Sequence, residues 1–168
     1  MPASRTLLAA LALGAFTFVP AAAQAQQSKE AAKADIAAWG QSISTAFTPG
    51  YWEGEMQELD ATGKVLNSEN KPDCIKPGES SKLGSSLGEM FTSIVEMADC
   101  TTTSGGPGSL NLKLECLAPG NKHMTFVSAG SYSDGQVNWN VDFKAEGEGA
   151  PESRSMKMNA RRTQTTCS

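Results

Sequence analysis

The spacing of apolar positions changes period along the chain. Between residues 28 and 48, Ile36, Trp39, Ile43 and Phe47 recur at i, i+3, i+7 and i+11, which puts them on one face of a helix. Ser28 suits its cap and Glu30 its first turn, and Pro49-Gly50 ends it. The stripe is too sparse for the helix to stand alone, so it is expected to lie across the open side or mouth of a sheet. After Gly50 the period is two. Trp52, Gly54 and Met56 share one strand face and Glu53 and Glu55 the other. Asp60-Ala61-Thr62-Gly63 reads as a turn, and 64–71 returns as a second strand. Leu83, Leu87, Met90 and Phe91 mark a weaker helix over 77–92, where Gly84 and Gly88 each cost about 1 kcal/mol relative to alanine.

The alternation is clearest in the C-terminal half. Leu110, Leu112, Leu114 and Cys116 alternate with Asn111, Lys113 and Glu115; Val137, Trp139, Val141 and Phe143 alternate with Asn138, Asn140, Asp142 and Lys144. Met124 and Phe126, then Met156, Met158 and Ala160, repeat the pattern, and Gly-, Pro-, Asn- and Asp-rich turns separate the runs. Strands joined by short turns, each with one apolar face, make an antiparallel meander that must close on itself or be covered by helices. The expected fold is therefore mainly β: a curved antiparallel sheet or small β-barrel-like meander of about seven strands, with one or two packed helices.

The first residues have the form of an export signal. Arg5 precedes the apolar run Leu7–Val19, which is short for a membrane span and suited to a signal core. Pro20 ends it, and small residues offer cleavage after Ala23 or, preferred, after Ala25. The expected organisation is a leader over 1–25, a helix over 26–48 and a β domain over 49–168, with no membrane span left after cleavage. The chain has 14 Lys and Arg against 18 Asp and Glu, a net charge of −4, and loss of Arg5 makes it −5. No basic stripe is present, which argues against nucleic acid and anionic lipid headgroups as partners.

Four cysteines, Cys74, Cys100, Cys116 and Cys167, all lie beyond the leader. An even number in an exported chain reads as two disulfides, and the absence of C-x-x-C speaks against a redox pair or zinc knuckle. Three pairings are open. Cys100 with Cys116, across the Gly-rich turn at 104–108, is preferred, which leaves Cys74 with Cys167.

Pro49-Gly50-Tyr51-Trp52-Glu53 at the first strand, Asp73-Cys74-Ile75-Lys76-Pro77 after the first hairpin, the pair Cys100 and Cys116, and Arg161-Arg162 before Cys167 form a recognisable set. Over residues 48–168 the chain resembles the exported bacterial family known as domain of unknown function 3617. The resemblance implies a periplasmic location and paired cysteines. It implies no active site, because the family has no established catalytic activity. The N-terminal helix and the segment 77–92 depart from the usual pattern, so a role specific to them is not implied.

The residues offer little catalytic chemistry. His123 is the one histidine, no nucleophile motif accompanies it, and it is expected on a strand face opposite Met124 and Phe126. Glu53 and Glu55 can be imagined as an acid–base pair, but their alternation with Trp52 and Met56 marks a solvated face. Met56, Met124, Met156 and Met158 fall on inward faces. Thioethers can hold Cu(I), yet methionine more often fills core gaps, so neither metal nor cofactor is expected. The large inward residues Trp52, Met56, Phe126, Trp139 and Phe143 are the candidates for lining a ligand pocket. The reading is a periplasmic or secreted non-catalytic protein that binds a small apolar ligand. The alternative is an envelope protein-interaction module with a filled core and an exposed apolar patch around Trp39. A hydrolase is the third and weakest reading.

Overall fold

The computed structural model describes residues 21–70, 72–133, 135–147 and 151–167, with 21–28 given as backbone only. The predicted leader lies outside the described residues except for its last five, which open the first helix. The stripe Ile36, Trp39, Ile43 and Phe47 is the buried face of α1 (Ala21–Ala46) and the turn after it. Then come β1 (Gly50–Leu59), β2 (Val65–Asn70), β3 (Asp73–Ile75), α2 (Glu79–Met97), β4 (Asp99–Ser104), β5 (Leu112–Ala118), β6 (Lys122–Ser133), β7 (Gln136–Glu146) and β8 (Glu152–Gln164).

All eight strands join one antiparallel sheet in the order β2-β1-β8-β7-β6-β5-β4, with β3 also paired to β1. The mainly β fold expected from the alternation is present, with one strand more than the seven counted. The sheet stays open, with edges at β2 and β4, so the barrel alternative is not adopted. The two helices take over the task of covering the apolar face, and closure is not needed to bury it. α1 packs along β4, with Asp35 accepting a 2.6 Å hydrogen bond from the Thr102 hydroxyl of that edge.

The second helix runs five residues past its predicted end. Ile94 and Val95 continue its inward stripe, and Val95 is fully buried. Its glycines have different roles. A Cβ on Gly84 would collide with the Gly40 carbonyl and the Ser44 hydroxyl of α1, so Gly84 is what lets the helices touch backbone to backbone. Gly88 faces open space.

The core centres on Trp39, which meets Phe91, Phe126 and Trp139 at ring separations of 5.5, 5.7 and 6.2 Å. It is only 2% exposed, so the apolar surface patch expected around Trp39 does not exist; the sheet covers it. Beneath it the Ser128 hydroxyl is fully used. It accepts from the indole of Trp39 at 3.1 Å and from that of Trp139 at 2.8 Å, and donates to the Leu110 carbonyl. Trp39 shares its proton with the same carbonyl at 3.1 Å. A buried hydroxyl with one donor and two acceptor positions filled leaves no polar atom unpaired.

Both disulfides join the preferred pairs. Cys100 and Cys116 sit opposite each other on β4 and β5, and Cys74 links to Cys167 over a separation of 93 residues.

Candidate functional site

The apolar face of the sheet is unevenly covered. α1 and the C-terminal half of α2 seal β4 to β6 and the centre, burying Leu112, Leu114, Phe126 and Val137. The β1–β8 side is left as a groove of about 430 Å³ beneath the N-terminal half of α2. Its floor is Trp52, Met56, Trp139, Met156, Met158 and Ala160, its helical wall is Leu83 and Leu87, and Glu69 and Asp73 stand at the rim.

The register explains the groove. Gly54 lies opposite Ala160, with Met56 opposite Met158 and Trp139 on the other side of Met158. A Cβ on Gly54 would lie 2.6 Å from the Asn159 carbonyl and 2.8 Å from the Ala160 Cα. The two smallest side chains that line the groove are thus neighbours, and they lower the floor between the tryptophans and the methionines. Met56 and Leu83 stay 37% and 41% exposed. For a face enclosed elsewhere by packed aromatics, this is apolar surface left open.

Of the five residues expected to line a pocket, Trp52, Met56 and Trp139 meet here. Phe143 lies further along the same sheet face, in a shallower hollow of about 280 Å³ with Met56, Glu58, Val141, Arg154 and Met156. Phe126 is buried, with its ring 4.2 Å from that of Phe91, and belongs to the filled core. Met156, Met158, Leu83 and Leu87 complete the groove and were not among those five. Their amphipathic spacing was visible, but the pairing of β1 with β8 that brings them together was not.

Two other hollows are larger and different in character. One, of about 610 Å³, lies on the opposite sheet face under the β1–β2 turn, lined by Thr125, Asn140, Asp142, Lys144 and Ser155 among others. The second, of about 790 Å³, follows the outer seam of the helices, where Gly and Ser predominate. Neither has an aromatic side chain in its lining, and small or polar residues make up most of both walls.

The residues weighed for catalysis do not come together. Glu53 and Glu55 are exposed and border the groove, alternating along β1 with its floor residues Trp52 and Met56. The Glu55 carboxylate accepts from Gln57 Nε2 at 2.7 Å and Ser68 Oγ at 2.8 Å, which lowers its pKa. A general acid needs the reverse shift. His123 is exposed at the start of β6. Among the described residues no three His, Cys, Asp or Glu side chains group to hold a metal.

Residues 47–167 match the model of the family described as Protein of unknown function (DUF3617). The chain belongs to this family. No curated protein and no solved structure matches it. The DUF3617 match starts one residue after α1, so the helix that supplies Ile36, Trp39 and Ile43 lies outside it although the core is built around that helix.

The motifs that carry the family resemblance are structural in this DUF3617 domain. Gly50 has a φ of 141°, and a Cβ there would clash with the Gln164 carbonyl of β8, so only glycine lets β1 and β8 approach. Trp52 Nε1 donates to the Thr48 carbonyl at 2.8 Å, and Arg162 Nη1 donates to Thr48 Oγ1 at 2.7 Å and to the Pro49 carbonyl at 3.3 Å. The Pro-Gly-x-Trp segment and the second arginine of Arg161-Arg162 therefore clasp the joint between α1 and β1. Cys74–Cys167 ties down the same corner of the sheet.

Proposed function

We propose that this protein is an extracytoplasmic, non-catalytic binding protein that takes a small apolar ligand in the groove between α2 and the β1–β8–β7 face. One observation carries the reading: two tryptophans and three methionines floor an open groove of about 430 Å³, within the size range of small-molecule sites. Flexible, polarizable methionine side chains suit a site that adapts to ligands of varied shape. Two disulfides and a leader-like N-terminus support the location. No described helix is long and apolar enough to cross a membrane.

A neutral apolar fluorophore, N-phenyl-1-naphthylamine, tests this. Trp52 and Trp139 emission should fall saturably with one probe per chain as energy passes to the bound dye. Leu83→Arg and Met56→Arg alter side chains that are already exposed and should leave the fold intact. Each should weaken probe binding about tenfold, the equivalent of about 1.4 kcal/mol or some 55 Å² of lost apolar contact. Absence of saturation, or binding indifferent to both substitutions, would refute the groove as the site.

A second reading rests on a different feature. β2 has a neighbour on one side only, every one of its residues is exposed, and Val65 and Leu66 are 44% and 47% exposed. Such an edge can accept a strand from an envelope protein partner.

A further inference from the structure

We propose that Met56, Met156 and Met158 form a three-thioether site for a soft monovalent cation of the Cu(I) class. The inference goes beyond the apolar-ligand reading and does not depend on it. The sequence places Met156 and Met158 on one strand face; the fold adds the third sulfur from the other end of the chain. Met56 is the direct cross-strand partner of Met158, and Met156 is the next residue on that face of β8, paired with Glu58. All three line the same groove, where an ion can reach them from solvent.

The spacing suits one shared ion. Directly opposite Cβ atoms on antiparallel strands are about 5 Å apart and diagonal ones about 7–8 Å. Same-face neighbours along a strand are separated by about 6.6 Å. A point above the middle of this triangle lies about 4 Å from each Cβ. A thioether sulfur sits about 2.8 Å from its Cβ and bonds a soft metal at about 2.3 Å, so three side chains can meet at that point without backbone movement. Thioether sulfur selects Cu(I) over harder ions. Trp139, on the other flank of Met158, adds an aromatic face that favours a cation. Glu58 is paired with Arg154 at 3.6 Å, and with Glu69 and Asp73 at the rim the three sulfurs are the soft donors of the groove.

The competing explanation, core filling, fits Met124 and accounts in part for Met158, since both pack half-buried against the core cluster. It does not account for Met56, which is 37% exposed, or for the open hollow that all three groove methionines border. No thiolate competes, since all four cysteines are in disulfides, and the exposed thioethers of Met90 and Met97 on α2 do not line the groove.

Silver nitrate in chloride-free buffer is the probe. Ag(I) copies the charge and softness of Cu(I) and needs no reductant, so the disulfides stay intact. Calorimetry should give one Ag(I) per chain, and the methyl resonances of Met56, Met156 and Met158 should shift together while that of Met124 stays put. Loss of a partner beyond the first ligands already costs a metal site about 10–100-fold in affinity, so Met56→Leu, Met156→Leu and Met158→Leu should each cost at least about tenfold. Leucine conserves the volume, and Met124→Leu should change nothing. Three results would each overturn the site: no stoichiometric uptake, uptake unaffected by the three groove substitutions, or uptake abolished by His123→Asn instead.

Discussion

Trp39→Ala should lower the stability of the protein by about 3–5 kcal/mol, the range for removing a buried tryptophan. For a chain of this size that is a fall of roughly 10–15 °C in melting temperature. It is also a large share of the roughly 5–15 kcal/mol that holds a domain together. Trp39 touches Phe91 of α2, Phe126 of β6 and Trp139 of β7, so its loss opens a void where helix and sheet layers meet. Differential scanning calorimetry checks the magnitude. The polar part can be separated from the packing. Ser128→Ala removes the hydroxyl that accepts from Trp139 Nε1 but leaves Trp39 its bond to the Leu110 carbonyl. It should cost about 1–3 kcal/mol, the penalty for one stranded buried donor. A melting temperature within 2 °C of the parent for Trp39→Ala would mean that α1 does not hold the sheet as described.

The Cys74–Cys167 bridge should contribute more stability than the Cys100–Cys116 bridge. The first spans 93 residues and the second 16. In the chain-entropy model these loops correspond to roughly 4–5 and 3 kcal/mol. Replacing Cys74 and Cys167 together by serine should therefore shift the urea midpoint further than replacing Cys100 and Cys116. The long bridge also fastens the last residues beside β3 and the start of β1, where the clasp of Gly50, Trp52 and Arg162 lies. Its removal should speed amide exchange in β3 and at the Gly50 end of β1. The reverse order of midpoints would show that the β4–β5 hairpin depends on its bridge for more than loop closure.

Much of this architecture was legible locally. The 3.6-residue spacing of Ile36, Trp39, Ile43 and Phe47 gave the buried face of α1, and strict alternation gave β5, β7 and β8. The Gly-rich turn between Cys100 and Cys116 gave their pairing. What local spacing could not provide is which strands become neighbours. β1 and β8 come from opposite ends of the chain, so the meeting of Gly54 with Ala160, or of Met56 with Met158, appears only in the folded register. The same limit applies to Phe126 and Phe143. They lie on the same face and pair directly across β6 and β7, yet one is buried and the other half-buried. The difference comes from where the helices lie, and alternation along a strand does not encode that. Gly84 was a cost to the helix on propensity alone; its value lies in a contact with Gly40, more than forty residues earlier.

The groove also accounts for an open sheet. A closed barrel would have to pair β2 with β4, whereas helices covering one side of the sheet bury most of its apolar face and leave the β1–β8 end accessible. Met56 and Leu83, both exposed there, are surface that a filled, purely structural core would have no reason to keep bare.

The central claim is that this groove takes an apolar ligand, and native mass spectrometry tests it most directly. The protein would be measured after incubation with an organic-solvent extract of the producing cells, before and after denaturation, alongside Leu83→Arg. The account predicts a one-to-one adduct that disappears on denaturation and is strongly reduced in the variant. The bare chain mass in every sample, or an adduct equally abundant with Leu83→Arg, would contradict it.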